Sequence, residues 1–395
     1  MSSISNSRST NLSDYSLRSS AMTLRNNKKV YFQKELVSQR GHRKKGSNEQ
    51  VENRVHTAAS SQILTSVVAD AEIVRRAALD IGSGKISVTL VDFDVKNNKI
   101  RKKVLQAKER LDVTADLEAN NKTISAPITL ELKKIFESFK ALAEKNGAKE
   151  LVGVATAAFR LAENGKEVIE KLSREVGMPI YPISQQKEAE LGWHSAASSY
   201  PEIAREQVVS FDCGNGSFQL ALEDGAHLQV FEGPMGITSV NQLLVEKVRG
   251  QKYSKTGSLC PVSSKEISQL ISEIQTALPR NDTFQVKLQD KLTHGASFIG
   301  IGGQNSLPGL AMQIIKSTES SMTLEQIETA LQKLSGMKSD DPFMKGISTS
   351  NQDTVVTRIA LLAAVMKKFG LEKIYYKPTE GITGGLFFAS EYWQK

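Results

Sequence analysis

Two short stretches of the sequence place an acid directly before a glycine-rich turn that joins two apolar runs. The first is "LDIGSGK" at residues 79–85, and the second is "FDCGNGS" at residues 211–217. Glycine lacks a Cβ and tolerates positive φ, so backbone N–H groups in such turns can converge on an anion. The turns are therefore predicted to hold phosphate oxygens through Gly82, Ser83, Gly84 and Lys85 on one side, and Gly214, Asn215, Gly216 and Ser217 on the other.

The acids of the two turns, Asp80 and Asp212, predict a divalent cation. Carboxylates beside a phosphate would repel it unless a positive charge lay between them. Mg²⁺ prefers carboxylate oxygens and water as ligands, so we expect both aspartates to hold Mg²⁺. One such turn is weak evidence, because a glycine after a strand is most often only a tight turn. Two copies about 130 residues apart favour the phosphate interpretation.

The elements that must position these turns alternate between strand and helix patterns, which is typical of α/β domains. Strand-like runs and amphipathic helices such as "ITLELKKIFESFKALAEKNG" begin at about Arg76, and the pattern restarts at "EQVVSFDCGNGSFQLALED". We therefore predict two successive α/β domains, at residues 76–200 and 201–395. Both turns are expected to face a cleft between the two domains.

The positive charge of the chain is concentrated at its beginning. Residues 1–60 hold 11 Lys/Arg and 4 Asp/Glu, a balance of +7, while the whole chain carries +8. Residues 1–75 are rich in serine and asparagine without apolar periodicity, which predicts a disordered basic tail. The cluster "RGHRKK" could contact nucleic acid, another polyanion or an acidic membrane surface. A solvated tail without a partner is the commoner case, and an organelle transit peptide is a further alternative.

Composition excludes several other classes of protein. No apolar run approaches the roughly 18 residues that a membrane-spanning helix needs, so no membrane span is predicted. The two cysteines, Cys213 and Cys260, have no metal-ligand spacing and are too few for a disulfide scaffold. A reducing compartment, and hence a cytoplasmic location, is expected.

With the two turns in place, the sequence resembles the sugar-kinase, chaperone-ATPase and actin superfamily. Within it, "GVATAAFRLAENGKEVIEKL" followed by "GMPIYPISQQKEAELGWHSA" resembles the exopolyphosphatase and guanosine pentaphosphate phosphohydrolase (Ppx/GppA) family. "GPMGITSV", "GIGGQNSL" and "GITGGLFF" follow in the family's order, so the resemblance covers about residues 76–393. It implies two duplicated actin-like (ribonuclease H-like) domains, further phosphate-binding glycines at Gly302 and Gly303, and pairing as a homodimer.

The resemblance also assigns two catalytic residues. Glu188 matches the second acid of the family's E-E-A-R motif and would act as general base towards water that attacks the terminal phosphorus. Arg160 matches the arginine of the T-x-x-x-R-x-A-x-N turn and would clamp phosphate oxygens in a bidentate way. The ordinary alternatives are an exposed helix charge for Glu188 and a surface ion-pair partner for Arg160.

Several positions depart from the family pattern. They are Asn215 and Gln185 in place of glycines, Gln219 and Lys187 in place of acids, Glu190 in place of arginine, and Lys85 in the first turn. The loss of an acid at Gln219 removes negative charge that could hold the metal or help to activate water. Lys85 adds a point charge beside the phosphates and could partly stand in for the metal.

Together these features predict a Mg²⁺-dependent phosphohydrolase that releases terminal phosphate from inorganic polyphosphate or guanosine pentaphosphate. Two alternatives remain open. One is a catalytically weakened relative that senses polyphosphate or a phosphorylated nucleotide. The other is an ATP-using kinase or ATPase of the same superfamily, with its nucleotide near "GIGGQNSL". The sequence does not select among the phosphoanhydrides, nor does it name a partner for the basic tail.

Overall fold

The structure is a computed structural model that describes residues 72–349 and 351–393. The predicted tail lies outside the described residues except for its last four, of which residues 73–75 belong to the first strand. The elements of the first half are β1 (Ile73–Ile81), β2 (Lys85–Asp94), β3 (Lys99–Arg110), α1 (Val113–Ala119), α2 (Ala126–Lys145), β4 (Glu150–Ala155), α3 (Ala157–Leu161), α4 (Gly165–Val176), β5 (Ile180–Pro182) and α5 (Gln185–Ser199).

The second half repeats this series with additions. Its elements are β6 (Val208–Cys213), β7 (Phe218–Asp224), β8 (His227–Gly233), α6 (Ile237–Leu243) with a π-helical continuation (Leu244–Val248), α7 (Ser264–Ala277), α8 (Asp282–Thr293), β9 (Ser297–Gly300), α9 (Leu307–Ile315), β10 (Ser321–Thr323), α10 (Leu324–Leu334), α11 (Pro342–Lys345), α12 (Val355–Phe369), β11 (Lys373–Tyr376) and α13 (Ile382–Leu386). Short 3₁₀ turns at Arg205–Gln207, Gln352–Thr354 and Ser390–Tyr392 complete the described elements.

The two sheets have the same topology. The first has the order β3-β2-β1-β4-β5, in which β1 to β3 are antiparallel and β4 and β5 run parallel to β1. The second has the order β8-β7-β6-β9-β11, with the same directions, and β10 is added antiparallel at its edge. The prediction of two successive α/β halves is therefore confirmed. In both sheets the acidic turn joins the first antiparallel pair of strands.

Local sequence explains the helices that cover the sheets. Helix α2 begins after Ser125, whose hydroxyl accepts from the N–H of Ile128, and it buries Phe136 and Phe139 against the first sheet. In the second half, α12 is apolar on nearly all sides and lies in the centre of the core, as expected of a fully buried helix.

A third apolar cluster joins the halves, because α5 and α13 lie between the two sheets. The two helices meet at backbone contact: a Cβ at Gly385 would lie 1.7 Å from the carbonyl oxygen of Leu191. Arg76 of β1 holds the last described residue, Trp393, against the first sheet. Its guanidinium lies 4.5 Å from the ring centroid of Phe93 and 4.7 Å from that of Trp393. Within the described ranges, every helix is too short or too polar to cross a lipid bilayer.

Candidate active site

The two predicted glycine turns face each other across one cleft. Each is closed by an equivalent hydrogen bond, from Gly82 N–H to the Lys85 carbonyl at 3.0 Å and from Gly214 N–H to the Ser217 carbonyl at 2.9 Å. The turns also touch, because a Cβ at Gly84 would lie 2.7 Å from Nδ2 of Asn215. The structure thus brings all eight predicted turn residues to one place, with backbone amides on both sides.

Three carboxylates converge beneath these turns. Asp80 lies near the end of β1, Asp212 at the corresponding place in β6, and Glu188 in the first turn of α5. Burial, followed by the charges of Glu188 and Asp80, raises the pKa of Asp212 to about 7. Burial also raises the pKa of Asp80, against the opposing charges of Lys85 and Lys108. Both aspartates keep some contact with water, so they line the cleft rather than the core.

Helix α5 brings Glu188 to this cluster because it packs directly against β6. A Cβ at Gly192 would lie 3.7 Å from Cβ of Asp212. Glu188 precedes Gly192 by one helical turn and therefore lies on the same face of α5. Its position is also fixed at the helix start, where the hydroxyl of Ser184 accepts from the N–H of Lys187 at 3.1 Å.

Glu188 and Arg160 form an ion pair. Nη1 of Arg160 lies 2.7 Å from Oε2 of Glu188 and also donates to the carbonyl of Ile183 at 3.2 Å. Glu188 is only 9% exposed, so it is not an exposed helix charge. Burial raises the pKa of Glu188, and the charge and hydrogen bond of Arg160 offset part of that rise. A carboxylate with a raised pKa is suited to accept a proton near neutral pH.

Lysines balance part of the negative charge. Lys85 is exposed at the end of the first turn, and its charge lowers the pKa of both Asp80 and Asp212. Lys108 on β3 also acts on Asp80. Desolvation in the cleft and the charge of Lys85 lower the pKa of Lys108, although its side chain is exposed to water. Sequence reasoning missed Lys108, since nothing in the β3 sequence distinguishes it from the neighbouring lysines.

Two glutamines that depart from the family pattern, Gln219 and Gln185, form hydrogen bonds through their side-chain amides. Gln219 lies opposite Asp212 in the β6–β7 pair, is 2% exposed, and donates through Nε2 to the hydroxyl of Ser217 at 3.1 Å. Gln185 donates to the carbonyls of Phe218 and Gly233, both at 3.3 Å. Gln219 therefore orients a residue of the second turn, and Gln185 ties the start of α5 to the second sheet.

The departures at Lys187 and Glu190 are reciprocal. Nζ of Lys187 lies 2.7 Å from Oε2 of Glu190 and 2.8 Å from Oε1 of Glu391. Desolvation lowers the pKa of Lys187, but the hydrogen bonds and charges of the two glutamates together raise it above its usual value. The two departing residues therefore pair with each other, and Lys187 also pairs with Glu391.

A third glycine turn borders the cleft at residues 302–305. Gly302 adopts φ +106°, and its N–H donates to Oγ1 of Thr379 at 2.7 Å. A Cβ at Gly303 would meet no atom within 4 Å, so the space above this turn is open. A cavity of about 440 Å³ lies beside it, lined in part by Gln304 and Tyr376. The lining of this cavity does not include Asp80, Asp212 or Glu188, so the carboxylate cluster beneath the first two turns lies outside it.

The donor set of the cleft fits Mg²⁺. Over residues 72–349 and 351–393, no three His, Cys, Asp or Glu side chains are arranged to bind one ion directly. Mg²⁺ does not need such a cage, because it keeps several waters and takes one or two carboxylates together with phosphate oxygens. Asp80 and Asp212 supply carboxylate oxygens in a field of excess negative charge.

Comparisons with solved structures show the fold. The structure superimposes on the crystal structure of a Ppx/GppA family member from Aquifex aeolicus with a TM-score of 0.60 and 17% identity, covering 81% of this chain and 98% of that one. The prediction of two duplicated actin-like α/β domains is confirmed by this likeness.

Two curated relatives match over shorter parts of their length. A bifunctional 3-dehydroquinate synthase/phosphatase from Fusobacterium nucleatum is 22% identical over 79% of this chain and 46% of its own length. An exopolyphosphatase 1 from Mycobacterium bovis is 24% identical over 38% of this chain and 42% of its own length. The chain thus spans less than half the length of these curated relatives.

The family model described as Ppx/GppA phosphatase matches residues 93–390, which is well over half of the chain. That range contains Glu188 and Arg160, both turns of the second half and the closing helix. The predicted family is confirmed, and the chain belongs to the Ppx/GppA phosphatase family.

Proposed function

We propose that this protein hydrolyses the terminal phosphoanhydride bond of inorganic polyphosphate or of a related compound such as guanosine pentaphosphate. The observation that carries the proposal is the contact of two glycine turns, between Gly84 and Asn215, above three carboxylates. Amides on both sides of one cleft suit a phosphoryl group, and the acids below suit a cation and a proton acceptor. Family membership supports the same class of reaction.

Each site residue has a role in this proposal. The turn amides with the hydroxyls of Ser83 and Ser217 bind oxygens of the terminal phosphate. Asp80 and Asp212 would hold Mg²⁺, which when bound neutralises phosphate charge. Glu188 takes a proton from a water whose oxygen forms a bond to the terminal phosphorus.

The bridging P–O bond breaks in the same reaction, and the electron pair leaves with the shortened chain. Phosphoryl transfer depends mainly on such positioning and charge neutralisation, because its transition state is loose. Arg160 holds the carboxylate of Glu188 in place at 2.7 Å, and its remaining N–H groups can meet phosphate oxygens.

The first test is phosphate release from long-chain polyphosphate with Mg²⁺, comparing wild type with Glu188→Gln. Loss of a general base typically costs about 10²- to 10⁴-fold in rate, and we expect a loss of that size in kcat. Glu144→Gln is a matched control, because it removes one carboxylate from an exposed position of α2. Equal rates in wild type and Glu188→Gln would remove Glu188 from the mechanism.

The second test concerns the metal. Chelation should abolish phosphate release, and added Mg²⁺ should restore it in wild type. Asp80→Asn and Asp212→Asn should need far more Mg²⁺ for half-maximal rate, since each removes one proposed carboxylate ligand. Full activity after chelation would refute the metal role of the two aspartates.

The buried amide of Gln219 supports a second candidate function, a protein that binds such anions with little turnover. Gln219 lies opposite Asp212, where a carboxylate would add negative charge beside the metal. Tight polyphosphate binding by wild type without phosphate release, with release appearing in Gln219→Glu, would favour this sensor. Release by wild type would contradict it.

The ATP-using alternative would place its nucleobase in the open depression of about 440 Å³ beside the third turn. A panel of polyphosphate, guanosine pentaphosphate and ATP, each with and without Mg²⁺, separates the candidates. Consumption of ATP without phosphate release from polyphosphate would favour the kinase or ATPase.

A further inference from the structure

Arg358 is a cation in the first turn of an apolar core helix. It lies on α12 between buried aliphatic residues and is only 9% exposed. Among the described residues, no carboxylate pairs with it, and its Nε has no hydrogen-bond partner. The one hydrogen bond of its guanidinium runs from Nη1 to the carbonyl of Asn305, at a long 3.3 Å. A buried charge with so few partners is costly, so a structural role alone does not explain it.

The surroundings of Arg358 place it at the cleft. Asn305 belongs to the third glycine turn, whose Gly303 faces open space. Burial lowers the pKa of Arg358, and so does the charge of Arg110, which ends β3 in the other half of the chain. Cys213, the residue after Asp212, is also near enough to act on it. The charges of two arginines from the two halves therefore act on each other beside Cys213, the neighbour of Asp212.

Two like charges held near each other favour an anion between them. Nε of Arg358 is buried away from water, so the outer edge of the guanidinium, between its two Nη groups, is the one that can bind an oxyanion in a bidentate way. Such an edge matches the two oxygens of a phosphoryl group.

We propose that Arg358, with Arg110 and the third glycine turn, binds a second phosphoryl group, the one adjacent to the terminal phosphate of the substrate. This inference rests on the proposed function, because it requires the first two turns to bind the terminal phosphate. The ligand class is a compound with at least two linked phosphoryl groups. The two-phosphoryl site spans both halves of the chain, so it holds the bridging bond over the three carboxylates.

The test is calorimetric titration with two stable ligands in the presence of Mg²⁺. Orthophosphate reports on one phosphoryl position, and methylenediphosphonate, whose bridge resists hydrolysis, reports on two. In Arg358→Met, we expect affinity for methylenediphosphonate to fall about 10- to 100-fold, the size of a lost hydrogen bond to a charged group. Affinity for orthophosphate should change less than about threefold.

Lys134→Met is the matched control, because it removes one positive charge from an exposed position of α2. It should leave both affinities unchanged. The thermal unfolding midpoint of ligand-free Arg358→Met should equal or exceed that of wild type, since a poorly paired buried charge is removed. A structural arginine would give a lower midpoint instead.

If Arg358→Met does not fold, Arg110→Met serves as the second variant, since Arg110 is exposed. It should show the same selective loss for methylenediphosphonate. Unchanged affinity for methylenediphosphonate in the folded variant, or an equal loss for both ligands, would overturn the inference alone. A wild type that binds neither ligand would overturn the proposed function as well.

Discussion

Replacement of Asp212 by asparagine should make the protein more stable at alkaline pH, although Asp212 belongs to the proposed active site. The folded-state pKa of Asp212 is about 7, because burial and the charges of Glu188 and Asp80 oppose its ionisation. An aspartate in an unfolded chain titrates near the usual value of about 3.9. Between these two values the folded protein binds more protons than the unfolded chain, so its stability falls as pH rises.

The magnitude follows from the difference of roughly three pKa units. Each unit corresponds to about 1.4 kcal/mol, so ionised Asp212 lowers the free energy of unfolding by at most about 4 kcal/mol above pH 7. We take this as an upper limit, because Asp212 keeps some contact with water. Below about pH 4 both states are protonated and the penalty disappears. Asparagine is neutral and of the same size, so Asp212→Asn should remove this penalty at every pH.

Urea unfolding of metal-free protein at pH 4.5 and pH 8 would measure this effect. Asp212→Asn should exceed wild type by several kcal/mol at pH 8 and by little at pH 4.5, with roughly the same denaturant slope. Added Mg²⁺ should stabilise wild type at pH 8 and have much less effect on the variant, because the ion binds the ionised carboxylate. Glu144→Gln should show no such dependence on pH. A variant that is less stable than wild type at pH 8 would refute the reasoning.

Two further substitutions test the framework around the site. Lys187→Glu should lower the free energy of unfolding by about 1 kcal/mol, because Lys187 pairs with both Glu190 and Glu391. Lys187→Glu with Glu190→Lys should recover part of this loss, since one pair is re-formed in reverse while Glu391 stays opposite a like charge; urea unfolding that shows no recovery would contradict this. Gly236→Ala should destabilise by about 1–3 kcal/mol and weaken orthophosphate binding, since its Cβ would lie 2.5 Å from the carbonyl carbon of Asn215. Gly303→Ala meets no neighbour and should leave the unfolding midpoint unchanged.

The sequence was sufficient to predict the duplicated fold, because each half carries its own periodic pattern. The strand and helix signals around Asp80 recur around Asp212, and both series fold into sheets of the same order. The meeting of the two turns also followed from that repeat. Equivalent ends of two duplicated domains, joined face to face, bring equivalent turns together, as the approach of Gly84 to Asn215 and of Gly216 to Ser83 shows.

Arg358 could not be found from sequence, because its significance depends on contacts between distant segments. In the sequence it is one arginine in the helical pattern "TVVTRIALLAAV", where a surface position is the natural expectation. Only the packing of α12 in the core shows that it is 9% exposed. Its neighbours Asn305 and Arg110 lie 53 and 248 residues away along the chain, beyond any local pattern.

The pairing of Lys187 with Glu190 is a second feature that could not be predicted from the sequence. Taken singly, a lysine in place of an acid suggests a damaged catalytic motif. The distance of 2.7 Å between Nζ of Lys187 and Oε2 of Glu190 shows that the two departing residues pair with each other, so their charges compensate. Sequence reasoning that treats positions one at a time cannot see such compensation. Gln219 lies opposite Asp212 and adds no carboxylate there, so we expect it to be the departure that bears on turnover.

The position of Glu188 depends on packing far from the cleft. Three carboxylates repel one another, so the cluster is held together by the elements that carry it. Asp80 and Asp212 are fixed by their sheets, whereas Glu188 is carried by α5, which lies between the sheets and contacts α13. The backbone contact at Gly385 sets the depth of α5, since a Cβ there would lie 1.7 Å from the carbonyl oxygen of Leu191. The glycines of the closing segment thus determine where the proposed base stands relative to the two aspartates, although they do not touch the phosphate site.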